Sequence, residues 1–236
     1  PWSADSQSLT NGSPILDTLF VSASEGYAVG AYSLLLKTVD GGANWTELSI
    51  GGSVPAQKAA DLVATDSGVF DDSDLALAAE SDPHLNAIVR TASGKLLVMG
   101  ERGAGFRSDD SGATWRSIRL PYGGSVFGLL ALGGDQVLSF GLRGNVYQSE
   151  DAGNSAREID GGTETSLIGG TISSDGPILV VGGNGTVALR RPGESAFTAK
   201  HIQLGNGQTP AFTAAVGDAG AFVLTSDLGA INSKVQ

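Results

Sequence analysis

The chain has 236 residues, 41% hydrophobic and 17% charged, with 35 glycines, no cysteine and a net charge of −11. That length and apolar share allow a sizeable core, and the glycine excess implies many turns. The charge works against nucleic-acid phosphates and anionic membrane surfaces, and the missing cysteines exclude disulfides, thiolate zinc sites and a cysteine nucleophile.

A frame recurs along the chain. Residues 30–45 run from Gly30 to Trp45 and residues 100–115 from Gly100 to Trp115, with the Trp fifteen positions after the Gly each time. The frame returns from Gly141 to Ala156 and from Gly182 to Phe197, and in weakened form from Ser226. Successive anchors lie 70, 41, 41 and 44 residues apart, so the repeat is 41 residues long with one insertion near the front.

Taken in chain order, the first repeat ends near Trp45 and the insertion, residues 51–83, comes after it. The insertion carries −6 of the −11 net charge, and its Ala-rich stretches 55–64 and 74–80 predict short helices. Asp71, Asp72 and Asp74 do not have the spacing of a calcium loop, so a solvated acidic segment is expected, and its length makes it a candidate lid or docking element. The second repeat predicts strands at 86–92, 95–100, 104–108 and 114–120, and the third at 126–132, 136–141, 145–149 and 156–159. The last predicts strands at 211–216, 221–225 and 230–235 and then stops without a fourth.

Four antiparallel strands per repeat of this length is the signature of a β-propeller blade. The expectation is an all-β, single-domain propeller over residues 1–236 with about five blades. Trp2 stands where Trp45 and Trp115 open the outer strands of their own blades, so residues 1–9 are expected to supply the last blade's missing strand and close the ring. The competing reading is a piece of a larger propeller cut between blades.

The turn between third and fourth strands carries the sharpest motif: Thr38-Val-Asp40-Gly-Gly42-Ala-Asn44-Trp45, Ser108-Asp-Asp110-Ser-Gly112-Ala-Thr114-Trp115 and Ser149-Glu-Asp151-Ala-Gly153-Asn-Ser155. This matches the Asp-box pattern, in which the carboxylate accepts turn N–H groups, the Gly takes positive φ and the Trp packs between blades. Asp40, Asp110 and Asp151 are therefore expected to be structural rather than catalytic or metal-binding.

With these motifs, and with Gly26-Tyr27-Ala28-Val29-Gly30, Leu35-Leu36-Lys37-Thr38, His84-Leu85-Asn86-Ala87-Ile88 and Gly124-Ser125-Val126-Phe127-Gly128, the sequence resembles the bacterial-neuraminidase-repeat propellers. It is most similar to the relatives of the photosystem II stability and assembly factor found in non-photosynthetic bacteria. The resemblance covers residues 15 to about 190 and fades in the last blade. It implies a non-enzymatic, periplasmic or otherwise extracytoplasmic propeller that supports a membrane protein complex, in such bacteria an RND-type exporter. Family members often have seven blades, and the count of five departs from that pattern.

The chain opens at Pro1 with neither an initiator Met nor a basic-then-apolar leader, so a processed or trimmed protein is expected. A cysteine-free acidic β protein suits the extracytoplasmic location, and no apolar run nears the roughly 18 residues of a membrane span. A monomer without cofactor or metal is expected.

The Asp-box pattern also occurs in sialidases, which need an Arg triad, a Tyr–Glu nucleophile pair and an Asp near the propeller axis. Only Arg90 falls on an inner strand, and Tyr32 and Glu101 fall on neighbouring loops. A sialidase-like hydrolase or a glycan-binding propeller therefore stands as the alternative.

In a four-stranded blade the turns between strands 2 and 3 share one end with the inter-blade connections, and the other turns occupy the opposite end. The 2–3 turns offer Tyr32, Arg102, Arg143 and Asn184 two residues past each anchoring Gly, as candidate partner-binding residues. Arg102 and Arg143, at one step of consecutive blades, could grip carboxylates or pair with local acids such as Glu101. Lys37 and Arg107 share a third-strand position for which a solvated face is expected.

Overall fold

The structure, a computed structural model, describes residues 12–50, 82–218 and 221–234. These residues form two compact units, one ending at Arg119 and the other running from Leu120 and including residues 91–93.

The first unit holds two antiparallel four-stranded sheets. Blade 1 is β1 (Ile15–Phe20), β2 (Gly26–Gly30), β3 (Leu35–Thr38) and β4 (Thr46–Glu47); blade 2 is β5 (Leu85–Arg90), β6 (Leu96–Gly100), β7 (Gly105–Ser108) and β8 (Arg116–Ile118). The second unit holds three sheets. Blade 3 is β9 (Val126–Gly133), β10 (Gln136–Gly141), β11 (Val146–Ser149) and β12 (Arg157–Ile159), and blade 4 is β13 (Leu167–Ile172), β14 (Ile178–Gly182), β15 (Thr186–Arg190) and β16 (Thr198–His201). Blade 5 has three strands among the described residues, β17 (Phe212–Asp218), β18 (Ala221–Ser226) and β19 (Gly229–Lys234). Every sheet pairs strands in sequence order, and the expected strands fall on the observed ones with ends shifted by one or two residues. The expected closing strand at 1–9 and the expected insertion helices lie outside the described residues.

Second strands read as unbroken apolar runs because both of their faces are covered. Every residue of β2, β6 and β14 is buried, and β14 shows why. Ile178 and Val180 join Leu138, Phe140 and Val146 of blade 3, while Leu179 and Val181 join Phe212, Phe222 and Leu224 of blade 5. In the first unit, Tyr27, Val29 and Leu35 of blade 1 meet Leu85, Ile88, Leu96 and Val98 of blade 2. Each such side chain contributes about 1.5–3 kcal/mol on burial, so the inter-blade layers hold each unit together.

The anchoring glycines have a backbone cause. A Cβ at Gly30, Gly100, Gly141 or Gly182 would lie 2.0–2.3 Å from the carbonyl oxygen of Pro14, His84, Ser125 or Ser166, the residue leading into the first strand. That same carbonyl accepts the N–H one residue after the glycine, from Ala31, Glu101, Leu142 and Gly183 in turn. The first strand also carries a register shift at the same step in all five blades. The spacing of the repeat is thus fixed by a close backbone approach that any side chain would block.

Two expectations are corrected. Lys37 and Arg107 do not lie on a solvated face. Arg107 is only 6% exposed and donates to Asp109, and Lys37 donates to Glu25 and, across the blade boundary, to the Ser111 carbonyl. Arg107 is buried and Lys37 is half-buried with its ammonium on protein acceptors, so this third-strand step is packed rather than solvated. The Trp packing also differs between copies. Half-buried Trp115 lies against the layer shared by blades 1 and 2 and donates Nε1–H to the Gly112 carbonyl. Trp45 lies on its own blade, against Ala28, Leu34 and Leu36, with the Phe20 ring edge-on at 6.0 Å. At the same frame position in blade 4, Phe197 is buried under the Arg190 guanidinium, which stands 5.1 Å from the ring centroid.

Candidate functional site

The 2–3 turns are short, and the residues just after the anchoring glycine set their geometry. Tyr32, Arg102, Arg143 and Asn184 all adopt left-handed backbone, with φ of 56°, 54°, 58° and 52°. The next residue is left-handed too: Ser33 in blade 1 and Gly103, Gly144 and Gly185 in the others. Two successive left-handed residues close a tight hairpin whose twist matches the flanking strands. Gly and Asn take this backbone readily, whereas a Tyr or Arg in such a sparsely populated region costs on the order of 1–3 kcal/mol. All four side chains are exposed, Tyr32 at 53%.

In the first unit the structure gathers Tyr32, His84, Glu101 and Arg102 around adjoining turns. The His84 and Tyr32 rings meet edge to face at 5.1 Å. Glu101 is tied to His84 three ways: its N–H donates to the His84 carbonyl, its carboxylate accepts the His84 N–H at 3.3 Å, and Oε1 lies 3.7 Å from Nδ1. Glu101 is thereby engaged with the histidine. Blade 2 pins the blade 1 turn directly, as Ser33 N–H donates to the Pro83 carbonyl.

The second unit repeats the scheme with other residues. The Arg143 N–H donates to Ser166 Oγ at 3.2 Å, from the segment leading into blade 4. Tyr122 donates its hydroxyl to the Leu142 carbonyl and stacks on Tyr147 at 5.6 Å. The Asn184 carbonyl lies 3.0 Å from His201 Nδ1, and Gly185 N–H donates to the Pro210 carbonyl.

The three Asp turns lie at the opposite ends of the strands, where Gly41 N–H donates to Ser24 and Ala152 N–H to Asp135 in the 1–2 turns. All three share one bonding pattern. The hydroxyl of Thr38, Ser108 or Ser149 is buried, donates to Oδ1 of Asp40, Asp110 or Asp151, and accepts the N–H of Gly42, Gly112 or Gly153. The other donors come from Asn44, Thr114 and Ser155, each through backbone and side chain. The Asn44 N–H, then its side chain and the Thr38 hydroxyl, hold Asp40 at about 2, and the Thr114 hydroxyl and N–H with Ser108 hold Asp110 at about 2. At Asp151 burial pulls upward, and the Ser155 and Ser149 bonds together outweigh it. A general acid working near neutral pH needs a raised pKa, and these carboxyls are pushed the other way.

Sequence reasoning placed the turn residues but missed the side chains that pin them: His84, Ser166 and His201. It also missed Asp17 on β1, where burial raises the pKa and the carboxylate accepts the Ile88 N–H of the next blade at 2.9 Å. The X-Gly pairs Arg102-Gly103, Arg143-Gly144 and Asn184-Gly185 were the available signal for two-residue left-handed turns. Among the described residues no helix is long and apolar enough to cross a membrane.

No protein-family model matches the chain, and no curated protein matches it. Solved structures do. The structure of YCF48 bound to D1 peptide aligns with a TM-score of 0.61 and 18% identity over 92% of this chain and 64% of that one. YCF48 from Cyanidioschyzon merolae aligns with a TM-score of 0.67 and 19% identity over 95% of this chain and 68% of that one. The computationally designed Ika8 protein aligns at 0.62 and 11% identity, over 92% of this chain and 57% of that one. The chain thus spans about two thirds of the length of the YCF48 chains it matches. With the sheets described above, these likenesses establish the fold as an all-β propeller of four-stranded blades.

Proposed function

We propose that the protein is a non-enzymatic docking scaffold whose 2–3 turns bind a membrane protein complex in an extracytoplasmic compartment. The observation that carries this reading is the left-handed backbone shared by Tyr32, Arg102, Arg143 and Asn184. At three of these four positions the chain keeps a large exposed side chain where Asn or Gly would be conformationally cheaper. Strain retained at equivalent exposed positions motivates a functional hypothesis, and Tyr and Arg are the residue types that dominate protein interfaces. The resemblance to photosystem II stability and assembly factors supports the same reading, as does the likeness to a propeller solved with a D1 peptide. On this reading the three Asp turns are Asp boxes with a purely conformational role, since their carboxylates are already occupied by turn donors. An RND-type exporter is the partner class implied where no photosystem exists.

The test has two arms. Immobilised protein should retain a membrane complex from detergent-solubilised membranes, identified by mass spectrometry, and should show no turnover of a fluorogenic sialoside. Turnover that is lost on replacing Tyr32 or Glu101 would replace the scaffold reading with a glycosidase.

A further inference from the structure

We propose that His84 is a positioning residue that presents the Tyr32 ring for docking. The inference rests on the scaffold reading for its purpose and on separate geometry for its content. Tyr32 sits on a turn with more than half of its surface exposed, so its own blade does little to fix the ring. A free ring on a surface turn would lose rotamer freedom on binding, and that entropy weakens the complex.

His84 removes the freedom beforehand. It comes from the segment leading into blade 2 and meets the ring edge to face, an arrangement with a preferred geometry of its own. The histidine is itself held at both ends of its residue. Its carbonyl accepts the Glu101 N–H, its N–H donates to the Glu101 carboxylate, and Oε1 of that carboxylate faces Nδ1. The carbonyl packs close against Gly100, in the space a Cβ there would fill, and the Glu101 N–H bond holds it in place. A rigid backbone contact in blade 2 is thereby relayed through Glu101 and His84 to an exposed ring on blade 1. Pinning the Ser33 N–H to Pro83, next to His84, fixes the turn that carries the ring.

NMR of the free 236-residue chain tests this without any partner. The Hα–Hβ couplings of Tyr32, assigned with Tyr32→Phe, should report one χ1 rotamer in the parent. They should collapse to averaged values in His84→Ala and return to a single rotamer in His84→Phe, which keeps a ring but no Nδ1. Thermal melting of each variant identifies any that fails to fold, and the Phe variant keeps the test alive if the Ala variant does. Averaged couplings in the parent, or a single rotamer in a folded His84→Ala, would overturn the proposal. Failure of the scaffold reading would show elsewhere, as retention of the membrane complex by Tyr32→Ala.

Discussion

Replacing Gly182 by Ala tests whether the blade repeat is set by the backbone approach seen at the anchoring glycines. The added Cβ would lie 2.0 Å from Ser166 O, 2.9 Å from its carbon and 3.1 Å from Leu167 Cα. All three are backbone atoms, so no side chain can rotate away. Overpacking of this kind costs about 1–3 kcal/mol. Moving Ser166 away also breaks the bond from Gly183 N–H to its carbonyl, at about 0.5–1.5 kcal/mol. Reduced unfolded-state freedom returns about 0.4–1 kcal/mol, leaving a net loss of about 0.5–4 kcal/mol. For a chain of this size, each kcal/mol shifts Tm by roughly 2–4 °C, so Gly182→Ala should melt several degrees lower by circular dichroism, with a matching fall in urea midpoint. Gly123→Ala is the control, since nothing lies within 4 Å of its Cβ and its φ is not positive. Equal melting of parent and Gly182→Ala, or equal loss in both variants, would refute the reasoning.

Two further predictions concern the Asp turns. Ser149→Ala removes a buried hydroxyl that serves both Asp151 and the Gly153 N–H; leaving these unpaired should cost about 1–3 kcal/mol in urea unfolding, with Ser149→Thr restoring most of it as Thr38 does in blade 1. Asp40 and Asp110 have folded pKa values of about 2 against an ordinary 3.8, so their stabilising contribution is full above the ordinary value and is lost as pH falls toward 2. Tm should therefore fall more steeply between pH 4 and pH 2 in the parent than in the Asp40→Asn, Asp110→Asn variant, and parallel curves would contradict the assignment.

Much of the architecture was legible because the repeat writes itself in residue types. Apolar second strands, anchoring glycines and Asp turns recur at fixed steps, and each has a local cause that sequence spacing preserves. Lys37 and Arg107 were misplaced because period-2 reasoning assumes one solvated face, whereas Lys37 reaches the neighbouring blade at Ser111 and Arg107 is buried. The candidate site was half legible. Equivalence in the repeat placed Tyr32, Arg102, Arg143 and Asn184 on one class of turn, but the pinning by His84, Ser166 and His201 is tertiary, made by segments 17 to 52 residues away along the chain.

The scaffold claim is tested most directly by relaxing the turns while removing their side chains. In the combined variant Tyr32→Gly, Arg102→Asn, Arg143→Asn, Asn184→Gly, every replacement suits left-handed backbone better than, or as well as, the residue it replaces. If the 2–3 turns of the blades carry the docking residues, this variant melts at or above the parent temperature and no longer retains the membrane complex from solubilised membranes. Retention at the parent level in a folded variant would contradict the claim and place the docking residues outside the 2–3 turns.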